Sequence, residues 1–145
     1  MSKGQSLFEV LFVIAITALV LIGVISIATV SLRNAVYSRD QALATGYTHE
    51  AMEWIRAERD RSWENIATRS ASPNNVWCLI TSPPTWPISY GNCTTFIPGT
   101  NYKREVRLET ITDDTVKIDV FVSWSDSEGD HYASSSAVLT DWRVL

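Results

Sequence analysis

The chain has 145 residues, 46% hydrophobic and 19% charged, with a formal net charge of −4. This length fits one small domain with an appendage, and the acidic balance argues against a general nucleic-acid binder. Val10 to Leu32 are 23 uncharged positions, 18 of them apolar, while 26 of the 28 charges follow Leu32; this split excludes a uniformly soluble globule and a disordered polymer alike.

As a helix, the uncharged segment covers about 35 Å at 1.5 Å per residue, enough for a bilayer core. It is apolar on all sides, as a lipid-embedded helix must be. It exceeds the roughly 7 to 15 apolar residues of a secretory signal. Lys3 and the amino terminus stand against Arg33 and Arg39, so flanking charge fixes no strong orientation. Gly23 is the only helix breaker within it. Glu9 sits at its mouth, between Phe8 and Val10. A carboxylate inside lipid costs about 3 kcal/mol on insertion scales, so Glu9 needs a partner. Two arrangements fit. In one, Ser6 to Glu9 is a capping box, with Ser6 capping a helix start and Glu9 returning to the cap amide. In the other, Glu9 takes a cation from another chain.

Lys3-Gly4, followed by Gln5-Ser-Leu-Phe-Glu9 and a long apolar run, resembles the class III signal of type IV prepilins and pseudopilins. The resemblance implies that a prepilin peptidase cuts after Gly4 on the cytoplasmic side and N-methylates the new first residue, Gln5. It makes Glu9, at the fifth mature position, the assembly glutamate of the family. Gln5 departs from the usual Phe or Met, which puts methylation in question. An N-terminal glutamine can also cyclise and lose its amine. Many major pilins carry a proline in this helix, and residues 10–32 have none. The implied partners are the prepilin peptidase, other pilin or pseudopilin subunits, a pilus assembly platform with its ATPase, and membrane lipid before assembly. No cofactor is expected. The physical logic is direct: cleavage exposes an α-amino group with a pKa near 8, cationic at neutral pH. Glu9 of one subunit can pair with that amine on its neighbour. Removing one partner of such a buried pair costs about 3–5 kcal/mol, so the pair would set axial register.

Beyond Leu32 the helical period continues. Val36, Leu43, Tyr47, Ala51, Trp54 and Ile55 form an amphipathic stripe, with Arg39, Asp40, Glu50, Glu53, Arg56, Asp60 and Arg61 opposite. Glu53–Arg56 and Arg56–Asp60 have helical pair spacing. The pattern predicts one helix from Leu7 to about Ala67, ending at the stop signals in residues 70–75. The charges from Glu58 to Glu64 read as a solvated face. The tract from Gln41 to Trp63 also resembles minor pilins and pseudopilins.

Residues 69–145 read as strands and loops. Lys103 to Ile111 alternates, with Val106 and Leu108 on one side. Asp113-Asp114 is a turn. Thr115 to Trp124 alternates strongly, directing Val116, Ile118, Val120, Val122 and Trp124 inward. Ser125 to Asp130 is a second turn, and His131 to Trp142 a third strand. A three-stranded meander with one face under the helix is expected. So small a sheet buries little apolar area, and a staple is expected. Cys78 and Cys93, the only cysteines, would close a loop of about 15 residues by a disulfide worth roughly 3 kcal/mol. That bond needs an oxidising compartment. Two cysteines without nearby histidine make a poor metal set; a pair of free thiols is the other alternative. Trp77, Trp86, Tyr90 and Phe96 flank the prolines of this loop and are read as filling the gap between loop and sheet, with an adhesive surface as the rival. Asp126, Glu128 and Asp130 around Gly129 suggest a solvated turn rather than a calcium loop. Asn92-Cys-Thr94 fits a glycosylation sequon. His49 and His131 are isolated, and no nucleophile or phosphate-loop motif occurs, so no enzyme is expected.

The expected class is α+β: a long N-terminal helix, membrane-spanning then amphipathic, packed on a small antiparallel β-sheet head. The expected division is a leader at 1–4, a transmembrane and filament-core helix at 5–32, an amphipathic continuation at 33–68 and a disulfide-looped head at 69–145. The expected role is a minor pilin-like or pseudopilin-like filament subunit. The alternative is a single-span anchored receptor or adhesin that never polymerises.

Overall fold

The structure, a computed structural model, describes residues 3–71 and 75–143, with backbone alone for residues 3–6. The architecture is α+β. Helix α1 spans Lys3–Arg61 and α2 spans Trp63–Ser70; strands β1 Val76–Cys78, β2 Lys103–Thr112, β3 Thr115–Asp126 and β4 Gly129–Thr140 follow. The chain divides into two compact units, Met1–Asp40 and Gln41–Leu145, and α1 contributes to both.

In the first unit α1 is unbroken through Gly23, and no residue from Leu7 to Arg39 is buried. Thr17 and Thr29 donate their hydroxyls to the carbonyls of Val13 and Ile25, each at 2.8 Å. These back-bonds satisfy the hydroxyls within the helix, which suits an apolar surrounding. The segment is long and apolar enough to cross a membrane by length and composition.

In the second unit, α1 buries Ala44, Thr48, Ala51, Met52, Ile55 and Glu58. The predicted stripe was displaced at its start: Val36 and Leu43 are exposed, and small Ala44 and Thr48 face the sheet instead. Small side chains let helix and sheet approach closely there. The helix also ends earlier than the pattern predicts. Ser62 is extended, at φ −160° and ψ 117°, and precedes α2. Serine is a poor helix-interior residue, and although the Ser62 side chain makes no capping hydrogen bond, Glu64 in the first turn of α2 suits the dipole. Two of the carbonyls orphaned at the break are satisfied by a distant side chain: Arg143 donates to Arg59 O at 3.2 Å and Asp60 O at 3.0 Å.

The sheet is antiparallel in the order β1-β2-β3-β4. The meander of β2, β3 and β4 matches the sequence pattern, and Val106, Leu108, Val116, Ile118, Val120, Val122 and Trp124 are all buried. β1 is an addition: three residues are too short to carry a period, and Trp77 pairs with Val106 to extend the inner face. The core has two parts. One joins Met52, Ile55 and Ile66 to Trp77, Leu108 and Ile118. The other joins Ala44 to Ile97, Tyr102, Val122 and Trp124. Gly129, at φ 131°, opens β4 from the tight β3–β4 turn in a conformation that L side chains rarely adopt.

Candidate functional site

Two arrangements remain after packing is accounted for. The first is at the start of α1. Gly4 and Gln5 are described only as helical backbone, and helical spacing sets Gln5 one turn from Glu9 on the same face. Glu9 is exposed, beside Val10, Val13 and Ile14, which line a shallow apolar concavity with it. No ion pair to Glu9 occurs among the described residues. Because α1 already begins at Lys3, Ser6 is inside the helix and not at its N-cap. Glu9 is a carboxylate at the edge of 23 uncharged positions, and an apolar surrounding would demand a cation for it.

The second arrangement is in the second unit and fastens a loop. Cys78 and Cys93 form a disulfide with sequence separation 15. The amide of Cys93 donates to Glu105 Oε1 at 2.6 Å. Arg104 is fully buried. Its Nε donates to Leu79 O at 3.2 Å and its Nη2 to Thr81 O at 2.5 Å, both in the disulfide loop. Its Nη1 donates to Tyr47 O at 3.2 Å and Glu50 Oε2 at 2.7 Å, both on α1. One guanidinium thus ties the loop, the amphipathic part of α1 and β2 together. Ser82 Oγ adds a bond to Glu50 Oε1 at 2.7 Å. Glu50, two-thirds covered, is shared by both contacts. The planar five-donor fork of arginine suits several fixed acceptors at once.

A buried carboxylate lies farther along α1 in the same unit. Glu58 accepts from Trp86 Nε1 at 3.1 Å and pairs with Arg61. The expected solvated face is thus corrected at Glu58, which is buried because it continues the phase of Ala51 and Ile55. Arg56 pairs with Glu53 as expected, whereas Asp60 pairs with Arg59 instead of Arg56. Trp86 packs on Trp54 and Trp77, with ring centroids 4.9 and 6.0 Å apart, and the Arg69 guanidinium lies 4.5 Å from the Trp86 centroid. Burial lowers the pKa of Arg69, opposed by the charge of Glu58. Trp77 and Trp86 do fill the space under the loop; Tyr90 and Phe96 are half-exposed.

The acidic turn is occupied with its own hydrogen bonds. Asp126 Oδ1 accepts from the Glu128 amide at 2.7 Å and lies 2.9 Å from His131 Nε2. Ser125 donates to Asp130 at 2.5 Å. The His131 ring and the Glu128 amide hold the Asp126 carboxyl below its ordinary range. No group of three or more metal-ligating side chains is gathered among the described residues.

Sequence reasoning missed Arg104 and Glu50 as a pair and Glu58 as a buried group. A signal existed for two of them. Arg104 shares the alternation phase of Val106 and Leu108, and Glu58 the helical phase of Ile55. A charge in an apolar phase is a buried charge that needs partners.

The disulfide has a measurable consequence. Replacing Cys78 and Cys93 together by serine is expected to destabilise the second unit by about 3 kcal/mol through the loop-entropy effect. Thermal unfolding of oxidised wild type and the double variant checks this; equal stabilities would contradict it.

Comparison with protein-family models, curated proteins and solved structures finds no match to the chain.

Proposed function

We propose that the chain is a prepilin-like subunit of a type IV pilus or of a related secretion filament, of the minor pilin or pseudopilin kind. The observation that carries this reading is the placement of Glu9. It lies five residues after Gly4, at the lip of an uncharged helix that is exposed along its whole apolar length. Such a surface needs cover from lipid or from other helices. In this reading lipid covers it first. A prepilin peptidase then cuts after Gly4, and the new amine of Gln5 becomes the cation for Glu9 of a neighbouring subunit. Like helices replace lipid around residues 10–32, so the apolar surface never meets water. The head stands outside the cytoplasmic membrane, on the oxidising side, where Cys78 and Cys93 remain joined. The chain performs no chemistry of its own and works by assembly with other subunits and the assembly platform.

Co-expression with a prepilin peptidase tests the first step. Intact mass is expected to fall by the Met1–Gly4 leader. The same spectrum distinguishes a methylated, free or cyclised Gln5. Retention of the leader, loss of the initiator Met aside, would contradict processing and favour an anchored receptor or adhesin.

A further inference from the structure

The two edges of the sheet differ. At the β1 edge, the Gly91 amide donates to Val76 O at 2.8 Å, and the Cys78–Cys93 disulfide holds the same loop in place. At the other edge, β4 runs for 12 residues and pairs with β3 throughout without a register shift. Among the described residues, no backbone hydrogen bond joins β4 to an element other than β3. A free edge offers a row of N–H and C=O groups to any extended chain. Sheets that must stay alone blunt such edges with lysine, proline, a bulge or a short strand. β4 uses none of these, and Tyr132 to Thr140 carries no charge and no proline. Its outward face also leaves Tyr132 and Val138 in solvent, 70% and 57% exposed.

We propose that β4 pairs antiparallel with β4 of a second copy of this chain, continuing the sheet across a two-fold axis. The sequence of the strand selects the register. Opposed residues in an antiparallel pair share a face. With the axis at Ser135, Tyr132 opposes Val138, Ala133 opposes Ala137, Ser134 opposes Ser136, and Ser135 opposes itself. Symmetry makes the Tyr132–Val138 match twice, covering all four exposed apolar side chains. Asp130 then opposes Thr140, and no like charges meet. Moving the axis to Ser134 sets Val138 against Asp130. Moving it to Ser136 sets Tyr132 against Thr140 and Val138 against Ser134. Of these three registers, only the one centred on Ser135 joins the exposed apolar Tyr132 to Val138 without a charge opposite.

The covered β1 edge limits the outcome. A head cannot add its β4 to the β1 of the next, so the pairing closes as a dimer and does not propagate. The pairing does not rest on the filament reading, since a closed dimer forms whether or not the chain polymerises.

The test uses the full chain in membranes under mild oxidation. Across the axis, Cβ atoms of opposed residues lie about 4.5–5.5 Å apart, within a small adjustment of disulfide reach. Ser135→Cys is expected to give a covalent dimer as its main product, reversed by reductant. Val138→Cys, opposed by Tyr132, is expected to give about a tenth of that or less. Combining Tyr132→Cys with Val138→Cys restores the dimer. Peptide mapping checks that Cys78 and Cys93 stay paired. A monomeric Ser135→Cys chain, equal linkage by Val138→Cys, or linkage to a different protein would each overturn the proposal. If the added thiol disturbs the native pair, sedimentation in detergent decides. The wild-type chain is expected to be dimeric, and Ser135→Lys, which opposes two ammonium groups, monomeric. A monomeric wild type or a dimeric Ser135→Lys variant overturns the proposal.

Discussion

Replacing Arg104 by methionine is expected to destabilise residues 41–145 by about 3–5 kcal/mol, chiefly because the loop carbonyls of Leu79 and Thr81 lose their donor at about 1–3 kcal/mol each, with a smaller part from Glu50, which is one-third exposed. For a domain of this size that is a fall in Tm of roughly 15 °C or more. Methionine fills much of the volume but offers no donor. The carbonyls of Tyr47, Leu79 and Thr81 lose their bonds to residue 104, and Glu50 loses its cation. Each buried acceptor left unsatisfied costs about 1–3 kcal/mol. Arg104→Lys is expected to fall between wild type and Met, because one ammonium cannot reach acceptors on both the loop and α1. Glu50→Gln is expected to cost less than Arg104→Met, since the guanidinium keeps its three carbonyls. Thermal unfolding followed by near-ultraviolet circular dichroism reads all three. A loss below about 1 kcal/mol for Arg104→Met, the worth of an ordinary net hydrogen bond, would contradict the fastening role.

On the proposed filament reading, Glu9→Gln is expected to leave the chain in the membrane and remove it from filaments. Neutralising Glu9 makes lipid insertion easier, by up to about 3 kcal/mol on insertion scales, so anchoring survives. Assembly is affected in the opposite direction. The α-amine of the neighbouring subunit would then enter an apolar interface without its carboxylate, at a cost of about 3–5 kcal/mol. Each 1.4 kcal/mol is a tenfold change in equilibrium, so incorporation is expected to drop by at least a hundredfold. Glu9→Asp keeps the charge on a shorter arm and is expected to recover part of it. Immunodetection of the chain in sheared filaments and in membranes separates the two effects. Loss from the membrane fraction as well would point to a folding or insertion defect instead.

Much of this architecture was legible because two periods dominate the chain. The apolar run at 10–32 has no alternative to a helix, and the alternation from Thr115 to Trp124 assigned the inner face of β3 residue by residue. The cysteine spacing suggested a closed loop, which the disulfide forms. Other features depend on tertiary partners that no local pattern contains. The break at Ser62 is supported by Arg143, more than 80 residues away. β1 exists because β2 offers it an edge. Arg104 was not singled out because its neighbours Lys103 and Glu105 are polar, although it shares the phase of Val106 and Leu108. The helix stripe was misplaced at Val36 and Leu43 because hydrophobicity was weighted above size. At Ala44 and Thr48 close approach favours small side chains. At the start of α1, Gly4 and Glu9 stood out by their sequence spacing alone, and the structure adds that both lie in one continuous helix.

The most direct measurement is zero-length cross-linking of sheared filaments that contain the chain, using an apolar carbodiimide. It joins a carboxylate to an amine only where they already touch. The account predicts covalent dimers whose linked peptide connects the γ-carboxyl of Glu9 in one copy, or in a companion subunit, to the α-amine of a neighbour. Filaments containing the chain in which the Gln5 amine is blocked, or in which Glu9 links only within its own chain, would contradict it.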